Sequence, residues 1–147
     1  MKRKIPGNVL VPFRVERSRH ITVIATLAGK DARFLVDTGA GGTCIDSSAL
    51  ERFGIGLSKR SSRGGGVGNA DMQLTRVAKH DLSVAELNLS KLRLHALDLS
   101  HVNAGLKAAK VKEIVGVLGA DILLERNATI DYSRRCIILA DVLRDDA

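Results

Sequence analysis

The chain has 147 residues, 45% of them hydrophobic, with three Phe, one Tyr, no Trp and a formal net charge of +7. That is apolar material for a single core, built from Leu, Val, Ile and Ala rather than from rings, in one domain. No apolar stretch approaches the ~18 residues of a membrane span, and the basic front end lacks the ~7–15-residue apolar block of a signal sequence. Scarce aromatics, no zinc spacing and no recognition helix also leave the positive charge without nucleic-acid machinery, so no nucleic-acid partner is expected.

In chain order, residues 20–28 are rich in Ile, Val and Thr and predict a strand; Gly29-Lys30-Asp31 supplies a turn and residues 32–36 return as the second arm of a hairpin. Asp46 is placed to cap a helix over residues 47–53 that Gly54 stops. Residues 72–84 and 87–99 predict two long alternating strands, with Leu87, Leu89, Leu92, Leu94, Leu97 and Leu99 in the core and a bulge or turn at Ser90-Lys91. Residues 103–113 predict a loop with at most a helical turn, residues 120–125 a short helix, and residues 128–132 with 136–139 a last hairpin. Pro6 and Pro12 near the start suit an edge strand or a crossing arm. Cys44 and Cys136 are expected to be buried free thiols, and no histidine pair has metal-ligand spacing.

The chemistry concentrates at Phe34-Leu35-Val36-Asp37-Thr38-Gly39-Ala40, an apolar strand running straight into an acid. A carboxylate at the end of a buried strand is costly unless it is paired or working. Gly39, Gly41 and Gly42 let backbone approach closely. Two further segments carry glycines: Arg63-Gly64-Gly65-Gly66-Val67-Gly68-Asn69 between strand-like runs, and Gly116-Val117-Leu118-Gly119-Ala120-Asp121 late in the chain. A Walker loop would need Gly-Lys-Ser/Thr, which the first lacks, and a dinucleotide fingerprint at Gly39–Cys44 would set pyrophosphate against Asp37.

The three segments, in this order and spacing, resemble the retropepsin-like aspartic proteases over roughly residues 20–139. The resemblance implies an all-β fold: a small closed, orthogonal β-barrel-like acid-protease half with one or two short helices, working as a two-fold dimer. It implies an N-terminal arm or interface strand over 1–19, a protease domain over 20–139 and a charged tail over 140–147, with residues 9–15 and 137–142 as candidate interface strands. It implies that Asp37 is the catalytic acid, Thr38 a cross-link between two catalytic loops, and Gly39 a neighbour of the attacking water. Ala40 and Gly41 with the flap tip Gly65, Gly66, Val67 and Gly68 would contact substrate, and the late motif would pack beneath the catalytic loop. The chain departs from retroviral members where acids and an arginine usually pair near the dimer interface: Gly41, Gly42 and Ala120 stand there, which implies a different dimer contact.

Water attack on a peptide carbonyl needs one group to take a proton while another gives one. One domain holding a single Asp-Thr-Gly and no internal repeat must therefore obtain its second acid from another copy, across a two-fold axis. The expected activity is peptide-bond hydrolysis with no metal or organic cofactor on peptide or protein substrates. A catalytically silent peptide-binding or dimerisation module is the alternative use of the same frame. A cytoplasmic location is the default expectation; a piece of a longer exported or tethered protein would read the same.

Overall fold

Alternating burial builds the first hairpin. The computed structural model describes residues 7–63 and 73–141, with side chains placed for 7–58 and 74–141. In β1 (Asn8–Pro12) the buried residues are Val9 and Val11; β2 (Arg14–Val15) then leads to β3 (Ile21–Leu27), which sends Ile21, Val23, Ala25 and Leu27 inward and leaves Ile24 exposed. β4 (Lys30–Val36) pairs antiparallel with β3 from Thr22↔Leu35 to Leu27↔Lys30. The connection is the two residues Ala28-Gly29, with φ of 50° and 73°, rather than the expected Gly29-Lys30-Asp31. A tight turn with both central φ positive matches the twist of a hairpin, and Asp81 Oδ1 accepts the Ala28 N–H at 2.7 Å.

β5 (Cys44–Asp46) ends in the cap foreseen from sequence. Asp46 accepts from Ser48 N–H and opens a 3-10 turn (Ser47–Ala49) that runs into α1 (Leu50–Phe53), where Gly54 ends the helix in the left-handed region at φ 65°. β6 (Leu57–Arg63) and β7 (Gln73–Val77) pair antiparallel up to Arg63↔Gln73. The connection between them, with Gly65, Gly66, Val67 and Gly68, lies outside the described residues.

The two long strands expected next are interrupted. β8 (Ser83–Val84) and β9 (Leu87–Asn88) form a small hairpin, and β10 (His95–Leu97) follows after a turn at residues 89–92. His80 accounts for the break: its Nδ1 accepts Leu82 N–H at 3.2 Å and its Nε2–H donates to Leu92 O at 2.7 Å. A side chain thus occupies backbone groups that a continuous ladder would have used. The expected core leucines are inside: Leu87, Leu89, Leu94 and Leu99 are buried, Leu92 and Leu97 partly so.

Where residues 103–113 were expected to form a loop, α2 (Ser100–Ala108) is a nine-residue helix. Asp98 Oδ1 accepts Ser100 N–H at 2.8 Å at its entrance, hydrogen bonding from the Ser100 side chain and then its backbone holds the Asp98 carboxyl below the usual range, and Val111 N–H bonds back to Leu106 O at the helix end. β11 (Gly116–Leu118), α3 (Ala120–Glu125), β12 (Thr129–Asp131) and β13 (Cys136–Ala140) complete the chain, α3 falling on the expected residues.

The large sheet runs β6-β7-β10-β5-β11-β4-β3-β8-β9, with β2 beside β3, and curls into a half-barrel; β1-β13-β12 form a separate three-stranded sheet. The chain-end strands β1 and β13 pair with one another inside the protomer, Val9↔Leu139 through Val11↔Ile137. At the centre, β11 lies parallel to β4 and antiparallel to β5. These three strands are buried on both faces: Phe34, Val36, Ile45 and Leu118 join the main core, while Leu35, Cys44 and Val117 pack with Leu99, Leu106, Val111 and Ile114 beneath α2. Asn103 fixes α2 in place, its Oδ1 accepting Ile114 N–H at 2.8 Å and its Nδ2 donating to Ile114 O at 3.1 Å.

Candidate active site

The site begins where β4 stops. Parallel pairing of β4 with β11 ends at Val36↔Leu118, and the next backbone bond, Asp37 N–H to Leu118 O at 3.0 Å, leaves the Asp37 side chain at the mouth of the sheet. Asp37, Thr38 and Gly39 are exposed, Ala40 half-buried, Gly41 and Gly42 exposed. Asp37 Oδ1 accepts Gly39 N–H at 2.8 Å, and Ala40 N–H returns to Asp37 O at 3.2 Å, so the loop closes on its own acid. Among the described residues Asp37 has no ion-pair partner, and its second carboxyl oxygen has no hydrogen bond.

The late motif lies against this loop. Ala120 N–H donates to Ala40 O at 2.7 Å, and a Cβ on Gly119 would stand 2.6 Å from Gly42 O and 2.8 Å from Ala40 O. No side chain fits there, which is the physical need for glycine at 119. Thr43, fully buried, ties the two segments together. Its hydroxyl donates to Asp121 Oδ1 at 2.7 Å, its N–H donates to Asp121 Oδ2 at 3.0 Å, and its Oγ1 accepts Gly119 N–H at 3.1 Å. Asp121 Oδ1 also accepts Ile122 N–H at 2.8 Å, which anchors the carboxylate to the first turn of α3.

Sequence reasoning singled out Asp121 only as part of a motif and passed over Thr43. A buried Thr followed far along the chain by an Asp in a helix's first turn carries no local signature, so the pair emerges only with the fold. Asp46 is a second concealed hub: buried, it accepts Leu99 N–H at 3.2 Å, Ser48 Oγ–H at 2.8 Å and Asn103 Nδ2–H at 3.4 Å, joining β5 to α2.

Beside Asp37 opens a cavity of about 470 Å³, within the usual range for ligand clefts. The loop from Gly39 to Thr43 forms one side; Leu74, His95 and Leu97 from β7 and β10, and Leu99 and Val102 at the start of α2, form the other. Cys44 lies on its floor as a free thiol. Burial pushes that thiol up to about 11; a backbone hydrogen bond at Val117 opposes the shift, while the carboxylates of Asp121, Asp46 and Asp37 add to it. Cys44 is therefore a packing residue rather than a nucleophile. Cys136 is a free thiol too, but half-buried. Among the described residues no three His, Cys, Asp or Glu side chains converge as a metal site requires.

The structure thus gathers Asp37, Gly39, Ala40 and Gly41 along one wall of a cleft, with Thr38 on the same exposed loop; Gly65, Gly66, Val67 and Gly68 lie outside the described residues. Gly41 and Gly42, which stand where retroviral members carry acids, have nothing within 4 Å of a built Cβ, so no crowding demands their small size.

A family model described as aspartyl protease matches residues 23–122. Among solved structures, the retroviral protease-like domain of Ddi1 from Leishmania major superposes with a TM-score of 0.55 at 16% identity, covering 83% of this chain and 89% of that one. A retropepsin-like aspartic protease from Rickettsia conorii gives 0.47 at 16% identity, covering 90% and 89%. The EIAV protease complexed with the inhibitor HBY-793 gives 0.44 at 22%, covering 70% and 84%. No curated protein matches the chain.

Proposed function

The chain belongs to the aspartyl protease family, and from that premise we propose that it is a homodimeric endopeptidase in which two Asp37 side chains, one from each protomer, activate the water that cleaves a peptide bond. The observation that carries this is the isolated carboxylate: Asp37 stands exposed at the sheet mouth, steadied through one oxygen by Gly39 N–H, with no countercharge in its own protomer among the described residues. An acid held this firmly and left this open fits a partner of its own kind.

Two carboxylates about 3 Å apart cannot both ionise, so the pair holds one proton. The ionised member takes a proton from the water as its oxygen attacks the scissile carbonyl; the protonated member hydrogen-bonds the oxyanion that forms. Proton transfer to the amide nitrogen then lets the C–N bond break, and the dyad returns to its singly protonated state. Such positioned acid-base transfer contributes roughly 10² to 10⁴ in rate; orientation of the substrate in the cleft supplies more. The rigid base of the dyad is the Thr43–Asp121 clamp, which holds the loop against α3.

Incubation of the purified chain with an unstructured protein between pH 4 and 7, beside Asp37→Asn, tests the proposal. Cleavage by the parent and none by the variant is expected. Equal behaviour of the two across that range would leave the cleft as a peptide-holding surface and overturn the enzymatic assignment.

A further inference from the structure

Next to the cleft lies a second hollow of about 530 Å³ with an unusual lining: Arg76, Lys79, Lys91 and Arg93, closed by Ser58 and His80, and no carboxylate among the described residues. The four ion pairs among the described residues all lie elsewhere, on Arg14, Arg33, Arg52 and Arg134. Four cations with no ion-pair partner among the described residues repel one another and raise the local positive potential.

The walls are built, not accidental. His80 bridges the two loops that carry these charges, accepting Leu82 N–H on Nδ1 and donating from Nε2 to Leu92 O at 2.7 Å. Across the 89–92 turn, Lys91 and Arg93 border another hollow that holds Asp121, Glu125 and Asp141, yet neither forms an ion pair with them among the described residues.

The basic hollow and the cleft share no lining residue but meet across the β7–β10 pair. Arg76 on β7 is the direct cross-strand partner of His95 on β10, and His95 with Leu74 lines the cavity beside Asp37. Arg93 lies two residues before His95, roughly 7 Å along an extended chain. A polypeptide seated at Asp37 and running along the β7–β10 pair therefore passes over the four cations.

We propose that this hollow is an exosite that selects acidic polypeptide segments flanking the scissile bond, so that the substrates are proteins with a run of Asp or Glu several residues from the cut. The inference rests on the protease assignment for its purpose, not for its binding chemistry. A nucleic acid is the less suited polyanion: none of Phe13, Phe34, Phe53 or Tyr132 lines the hollow, and the His80 ring that does is buried and held through both nitrogens, so it is no platform for a base to stack on.

Binding by the full-length Asp37→Asn chain separates this inference from catalysis. A fluorescent deca-glutamate peptide, followed by anisotropy at low salt, is expected to bind, and to bind on the order of tenfold more weakly at high salt. The variant that adds Lys79→Gln, Lys91→Gln and Arg93→Gln, all exposed positions, is expected to lose on the order of tenfold in affinity with an unchanged circular-dichroism melting curve. No binding, equal binding by that variant, or stronger competition by single-stranded DNA of equal charge overturns the proposal. A second arm uses the cleaving chain on paired peptides that differ only by Glu or Gln in the flank: a higher kcat/KM for the Glu peptide, reduced by Lys79→Gln, Lys91→Gln and Arg93→Gln together, is expected, and equal values refute it. Loss of all cleavage with retained deca-glutamate binding would instead count against the dyad alone.

Discussion

Thr43→Val is nearly isosteric and removes one oxygen from the junction beneath Asp37. That oxygen donates to Asp121 Oδ1 at 2.7 Å and accepts Gly119 N–H at 3.1 Å, in a residue with no solvent exposure. A hydrogen bond to a charged acceptor contributes about 1.5–3 kcal/mol, and a buried donor left without a partner costs about 1–3 kcal/mol. The two losses share one site and do not simply add, so the expected destabilisation is about 3 kcal/mol. Urea unfolding should show a lower midpoint with an unchanged slope, and the melting temperature should fall by roughly 10 °C. Thr43→Ser keeps the oxygen and should recover most of the loss. Because the clamp holds the loop that carries Asp37, kcat should fall by a larger factor than KM changes. A loss below about 0.5 kcal/mol, within the range of surface substitutions, would refute the claim that Thr43 and Asp121 support the site.

Gly119→Ala sets a Cβ against Gly42 O and Ala40 O at 2.6 and 2.8 Å, so it should cost at least about 2 kcal/mol and displace the Asp37 loop; thermal melting with an activity assay reads both, and a neutral result would show that the loop yields freely. Asp46→Ala leaves the Leu99 N–H at the entrance to α2 without its acceptor and should cost about 2–4 kcal/mol in denaturant unfolding. For Cys44 burial raises the thiol from its ordinary 9.0 to about 11, so the folded state keeps the proton longer. Its contribution is intact below about pH 9 and is lost as pH rises through 11, an effect on the order of 2 kcal/mol that the pH-dependent unfolding of wild type should show and that of Cys44→Ala should lack.

Much of this was legible in the residues because it is local. Asp46 before a polar start and Gly54 after Phe53 mark a helix by capping chemistry, and the run from Phe34 to Val36 reads as a strand buried on both faces. Legibility failed where distant contacts overrode local pattern. His80 breaks an alternating stretch by bonding Leu82 and Leu92, which no window of neighbours reveals. Where a loop was expected over residues 103–113, the helix Ser100–Ala108 is held by Asn103 on Ile114 and Asp46 on Leu99, contacts that no local pattern reveals. Asp37 was legible as an acid at the end of a buried strand, and it lies at the mouth of the cleft, whereas the Thr43–Asp121 clamp joins residues 78 positions apart and required the fold.

Subunit mixing tests the shared dyad most directly. Wild-type chain and Asp37→Asn chain, unfolded together in equal amounts and refolded, are assayed at constant total concentration. If both carboxyls of a dimer are required, activity falls to roughly one quarter of the unmixed wild type, the fraction of dimers with two intact acids. Activity of roughly one half, the value for a site complete within each chain, would contradict the account.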